Sequence, residues 1–136
     1  MAKITFVYPD FESLGVEYLM AACLKEGHAV DFVYYDAEDI YIGRKRKQIP
    51  FHKIAKKIIE TNPHIAAFSC VTDNYQFQLN CARAVKEMCP NIITVFGGVH
   101  PSAVPERVLR RDEVDCVAIG EAEVSFTDFV KKGDRD

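Results

Sequence analysis

No two of the five cysteines, Cys23, Cys70, Cys81, Cys89 and Cys116, stand in C-x-x-C spacing. No histidine pair has the i, i+4 spacing either, so the sequence carries no zinc-site signature. The cysteine count is odd and the opening residues have no secretory pattern. Reduced thiols in the cytoplasm are therefore the expectation. A charge excess is also lacking: 17 basic against 20 acidic residues leave a net charge of −3. Such a surface has no bulk attraction for nucleic acid or an anionic membrane. The longest apolar runs are strand-sized, too short for a membrane span. There is no internal repeat and no low-complexity tract.

What is present is the composition of a globular domain, with 49% hydrophobic and 27% charged residues in a chain of 136. That length fits a single domain, 1–136, able to bury roughly two-thirds of its unfolded surface without staples. The closing "KKGDRD" follows directly on the last periodic segment, and is read as either a natural terminus or the edge of a longer protein.

Apolar runs alternate with helical patterns throughout. Ile4 to Tyr8 reads as a buried strand. Leu14 to Glu26 is helical, with Leu14, Tyr18, Ala21, Ala22 and Lys25 on one broad face, and Gly27 is its stop signal. Ala29 to Tyr35 is the second strand. A connection from Asp36 to Pro50 is acidic first, then basic at Arg44 to Lys47, and reads as a solvated loop. Phe51 to Thr61 is helical, and Ile65 to Cys70 is strand three, with small Ala66 and Ala67 suited to close helix packing. Tyr75 to Met88 is a helix with Phe77, Cys81, Ala84, Val85 and Met88 inward. Ile92 to Phe96 is strand four, followed by the loop "GGVHPSAVP". Glu106 to Arg111 is a short helix, Asp115 to Ile119 strand five, and Glu121 to Lys132 the last helix. His28, His52 and His64, at element ends, read as surface histidines, and Phe32, Tyr34 and Phe51 as core aromatics.

Strands apolar on both faces, each followed by a helix, predict an α/β fold: a three-layer α/β/α sandwich around a five-stranded parallel sheet. With right-handed crossovers, the flavodoxin-like (Rossmann-like) order 2-1-3-4-5 is expected. Ligands of such sheets sit beyond the carboxyl ends of the strands, at the switch point between strands one and three. Four loops meet there: Pro9–Gly15, Val71–Asn74, Gly97–Pro105 and Gly120–Glu123.

The first loop, Tyr8-Pro9-Asp10-Phe11-Glu12-Ser13-Leu14-Gly15, has one glycine where a dinucleotide fingerprint needs three. Asp10 and Glu12 would repel a phosphate at the helix N-terminus. A phosphate ligand is not expected there, and Asp10 or Ser13 can also serve simply as an N-cap. Strand four ends Gly97-Gly98-Val99-His100. Two glycines let the backbone approach something flat or bulky, or else form a tight turn. Strand three ends at Ser69, followed by Val71, Thr72 and Asp73, whose polar members can bond a ligand at the same rim.

Taken together, Asp10-Phe11-Glu12-Ser13-Leu14-Gly15, Ser69-Cys70-Val71 and Gly97-Gly98 resemble the D-x-H-x-x-G, S-x-L and G-G elements of cobalamin-binding domains. The run "FGGVHPSAVPERVLRRDEVDCVAIGEAE" resembles the G-G-x-H-x-[ST]…P-E…V-D-x-V-x-x-G-E-x-E run of such domains in radical S-adenosylmethionine enzymes. The sequence departs from the first pattern at Glu12, in place of histidine, and at Val71, in place of leucine. The resemblance implies cobalamin as cofactor, with Pro9, Asp10, Glu12, Ser13, Leu14, Gly15, Ser69, Val71, Thr72, Asp73, Gly97, Gly98, His100, Gly120 and Glu121 in the site. In His-bearing relatives the loop histidine is the lower cobalt ligand, and the cofactor's nucleotide tail enters a slot between sheet and helices. Gly97 and Gly98 are expected to give that tail room, with Ser69 and Thr72 bonding it. His100 is expected either to bond a corrin amide or the tail, or to cap the turn before Pro101. Glu121 and Glu123 either face the corrin side chains or stabilise the last helix's first turn.

A carboxylate is a harder ligand than imidazole, so Glu12 is not expected to bind cobalt. An unligated lower face suits methyl transfer. The resemblance also implies a C-terminal radical domain in cis, carrying S-adenosylmethionine and a four-iron cluster. The C-x-x-x-C-x-x-C of that cluster is absent here, so the chain reads as a non-catalytic cobalamin-binding module. Three alternatives stay open. One is a degenerate domain serving as an interaction platform. A receiver domain lacks support because strand three ends Phe68-Ser69-Cys70, without the needed aspartate. A flavodoxin-type flavin carrier would need a Ser/Thr/Gly-rich first loop.

Overall fold

The computed structural model describes residues 2–9, 14–35, 51–70, 72–119, 126 and 129–130. Five parallel strands form one sheet: β1 (Lys3–Pro9), β2 (Ala29–Tyr35), β3 (Ile65–Ser69), β4 (Ile93–Gly97) and β5 (Cys116–Val117). Their order is β2-β1-β3-β4-β5, the order expected from the sequence. The helices are α1 (Leu14–Lys25), α2 (Phe51–Glu60), α3 (Thr72–Met88), α4 (Val99–Ala103) and α5 (Pro105–Leu109). Phe126, Phe129 and Val130 are helical as well, within the segment read as the last helix.

Side chains alternate across a strand, so each strand feeds two cores. Val7, Val33, Tyr35, Ala66, Phe68 and Phe96 face α2, α3 and α5. Ile4, Phe6, Tyr8, Ile65, Ala67 and Val95 face α1 and the Phe126–Val130 segment. Ala66 and Ala67 thus serve opposite faces, and both are buried. α2 buries Ile54, Ala55 and Ile58, and its lysines point to solvent. α1 ends as expected, with Gly27 at φ +85, a left-handed position that glycine occupies without strain.

Several expectations need correction. α1 buries Val16 and Cys23, seven residues apart, while Tyr18 is 65% exposed. The expected inward face is therefore not borne out at Tyr18, Ala21 and Lys25, which are exposed. Met88 is 48% exposed; it closes the last turn of α3, beyond the sheet's cover. Tyr34 is 60% exposed, because β2 is an edge strand whose end is only partly covered. Its ring rests on Phe32, which is half-buried, at 5.2 Å. His28 is buried, and its Nδ1 accepts the Ala2 N–H at 3.1 Å. α3 starts at Thr72, so the Val71–Asn74 loop is shorter than expected. The "GGVHPSAVP" loop contains α4, where Pro101 falls in the first turn, whose N–H groups have no intrahelical partner.

A candidate ligand site at the carboxyl edge of the sheet

The switch point lies where β1, β3 and β4 end side by side. Pro9 closes β1, Ser69 closes β3 and Gly97 closes β4, and Ser69 pairs with Gly97 in register. Strand alternation puts Ser69 and Gly97 on the same sheet face as Ala67 and Val95, the face covered by α1. Leu14 and Gly15 open α1, and Thr72 and Asp73 open α3 at this edge. Asp10, Glu12, Ser13, Val71, Gly120 and Glu121 lie outside the described residues.

The two glycines differ in kind. Gly98 has φ +107, and a Cβ built there would lie 2.6 Å from the Cys70 carbonyl oxygen and 2.9 Å from its nitrogen. Only glycine suits both the torsion and the approach. Gly97 has an ordinary torsion, and its Cβ would meet only Ala118, with Cβ at 3.4 Å and the carbonyl oxygen at 3.7 Å. The main chain closes the rim around Cys70. The Cys70 N–H donates to the Gly97 carbonyl at 2.8 Å, and the Cys70 carbonyl accepts the His100 N–H at 3.3 Å. Gly98 is therefore needed by the fold itself, and Gly97 is the glycine whose small size leaves space.

On the α1 face lies a groove of about 330 Å³, lined by Val95, Cys116, Ala118, Ile119, Phe126 and Phe129 among others; Ala118, which a Gly97 Cβ would touch, is one of its walls. Its walls are mostly apolar. Burial, then the neighbouring Asp115 carboxylate, raises the pKa of the Cys116 thiol.

The His100 ring packs at 4.2 Å against Tyr75, which meets Phe96 edge-on at 6.3 Å. Both Tyr75 and Phe96 belong to the core on the α3 face. Burial pushes the Tyr75 phenol up, partly offset by the charge of Arg111.

Beneath the rim, α3 turns two amides inward: Asn74 and Gln78 are both fully buried. Gln78 Nε2 donates to the Ser69 carbonyl at 2.7 Å. Tyr35, at the end of β2, is buried beside both amides, and burial drives its phenol well up. Its hydroxyl lies close to them without meeting hydrogen-bond geometry among the described residues. Burial, then the neighbouring Cys81 thiol, keeps Cys70 protonated, so neither thiol is a nucleophile.

The structure therefore brings Pro9, Ser69, Gly97, Gly98 and His100 to one edge, as expected from the sequence. The sequence reading passed over Tyr75, Asn74 and Gln78. The available signal was a pair of amides four residues apart, flanking Phe77 on a helix face otherwise apolar. Among the described residues no group of three or more His, Cys, Asp or Glu side chains gathers as a metal site, and no helix is long and apolar enough to cross a membrane.

Known proteins resemble this sequence. The anaerobic magnesium-protoporphyrin IX monomethyl ester cyclase of Cereibacter sphaeroides is 27% identical over 98% of the chain. The cobalamin-dependent radical SAM methyltransferase TokK of Streptomyces tokunonensis is 35% identical over 60% of it. An uncharacterised methyltransferase of Pyrococcus horikoshii is 30% identical over 94%. The chain spans only 22%, 12% and 28% of these proteins. The family described as B12 binding domain matches residues 4–130, almost the whole sheet and its helices. The chain belongs to the B12 binding domain family.

Proposed function

We propose that this chain holds cobalamin at the carboxyl edge of its sheet, with the nucleotide tail in the groove on the α1 face and no histidine beneath the cobalt. It serves as the binding module of a larger cytoplasmic enzyme. A C-terminal radical domain in cis brings S-adenosylmethionine and a 4Fe-4S cluster, and the joint reaction is methyl transfer.

The observation that carries this reading is the groove of about 330 Å³ walled in part by Ala118, the residue that a Gly97 Cβ would touch. Its apolar lining fits the flat base of a nucleotide tail, and it lies on the sheet face that Ser69 shares. Bound cobalamin supplies a cobalt centre able to carry a methyl group. The protein's own part is to bind and orient. Gly97 leaves the groove mouth open, and Ser69 offers a hydroxyl at the rim. The charge of Asp10 and Glu12 disfavours a simple nucleotide in the first loop. Phe126 and Phe129 keep water from the tail. The His100 ring, packed on Tyr75 toward α3, supports an imidazole-free lower face.

The test is to mix the chain with hydroxocobalamin, remove the free compound and reduce the bound cobalt by one electron. The expected result is a retained corrin whose paramagnetic resonance spectrum has no coupling to a protein nitrogen. Imidazole coupling overturns the ligation reading, and a colourless protein overturns cobalamin binding itself.

A further inference from the structure

The register of the sheet poses a question about Ser69. In a parallel ladder, alternate residues of a strand bond to its two neighbours. Cys70 bonds toward β4 through the Gly97 carbonyl. Ser69 therefore points its carbonyl the other way, toward β1. Val7 pairs with Phe68, so the N–H that the Ser69 carbonyl should meet is that of residue 9. Residue 9 is proline and has no N–H. The β1–β3 pairing accordingly stops at Val7 and Phe68, while β1 stays paired with β2 as far as Pro9 and Tyr35. A parallel pair is thus unzipped at the switch point by one missing donor.

A carbonyl left without a donor at a part-buried site is costly. Gln78 provides the substitute: its carboxamide, fully buried on α3, donates to the Ser69 carbonyl at 2.7 Å. The donor comes from the helix above the α3 face, so the peptide of Ser69 is held from that side. The Gln78 donor thus does not cross the α1 face, where the groove lies. Pro9 and Gln78 act as a pair: one ends the zipper, the other caps the strand it exposes.

We propose that Gln78 is a positioning residue for the ligand. By replacing the ladder donor that Pro9 lacks, it fixes the Ser69 peptide so that the Ser69 hydroxyl faces an open crevice between β1 and β3. This role rests on the cobalamin reading above.

The experiment compares four full-length versions of the chain: wild type, Gln78→Met, Pro9→Ala and the double variant. Methionine keeps the length and volume of glutamine without the donor. Alanine at position 9 restores the N–H to β1. Thermal midpoint and hydroxocobalamin affinity, by visible titration, are measured for each. Gln78→Met is expected to lower the midpoint and to weaken binding roughly fivefold, the size of one hydrogen bond. In the double variant the restored ladder donor is expected to recover the midpoint but not the affinity, because the zipper now closes over the crevice. Two outcomes overturn the inference alone: Gln78→Met binds like wild type, or the double variant recovers affinity together with stability, which makes Gln78 only a strand cap. A double variant that recovers neither overturns the ladder argument. A wild-type chain that retains no cobalamin overturns the cofactor reading, and this role with it. The midpoints then still show whether Gln78 caps the strand.

Discussion

The two ends of the β3–β4–β5 region are built differently. At the amino-terminal base, side chains stitch strand to strand. The Thr94 hydroxyl donates to the Glu113 carbonyl at 2.5 Å, and the Thr94 N–H donates to Asp115 Oδ2 at 2.9 Å. Lys86 pairs with that carboxylate and also donates to the Ile92 carbonyl at 2.7 Å. The Glu113 carboxylate, nearly buried, sits 3.6 Å from Arg83 and 3.3 Å from Arg111. The Lys3 N–H donates to His64 Nδ1 nearby, at 2.9 Å. At the carboxyl rim the described closure includes main-chain bonds, Cys70 to Gly97 and His100 to Cys70, and the Gln78 side chain. The lesson is a division of labour. The base uses its polar side chains to hold the strands together. Among the described residues the rim closes with backbone and glycine at the edge where α/β sheets bind ligands.

The most severe way to break this contrast is at the one rim position where the backbone cannot yield. Gly98→Ala places a methyl group against Cys70 with φ at +107, and should cost about 2–4 kcal/mol in a urea titration. A loss under about 0.5 kcal/mol would mean that the rim is not closed around Cys70. At the base, Lys86→Met removes donors to Ile92 and Asp115 and should cost about 1–2 kcal/mol. Cobalamin affinity should stay unchanged, since neither Lys86, Ile92 nor Asp115 lines the groove. Gly97→Leu should do the reverse. Its Cβ meets only ordinary contact, so stability should move by about 1 kcal/mol or less. Cobalamin binding should fall at least about tenfold, as the side chain occupies the groove mouth.

A smaller effect belongs to neither end but to the helix layer over the sheet. Burial raises the Cys23 thiol on α1 from 9.0 to about 11. A raised pKa means that the folded state holds the proton more tightly. The stability it contributes is complete below pH 9 and fades as pH climbs through about 11. Denaturation midpoints measured across that window should fall, and Cys23→Ala should flatten part of the decline.

Much of this was legible in the sequence because it follows from alternation and punctuation. The strand runs, Gly27 and the Gly97-Gly98 pair set the element order, the sheet order and the site edge. What escaped depends on partners distant in sequence. His28 is buried because Ala2 folds back onto it. Tyr34 is exposed because of its place at the sheet edge, not its residue type. The meaning of Gln78 requires knowing that Pro9 lies next to Ser69 in the ladder, a relation between residues sixty positions apart. Gly98 and Gly97 look equivalent in the sequence, and only the approach of Cys70 separates them.

The central claim is that the groove on the α1 face receives the nucleotide tail of a cobalamin. Visible titration of the chain with hydroxocobalamin and with cobinamide, the same corrin without its nucleotide, tests it directly. The account predicts clearly tighter binding of the compound that carries the tail; equal affinity for the two, or none for either, contradicts it.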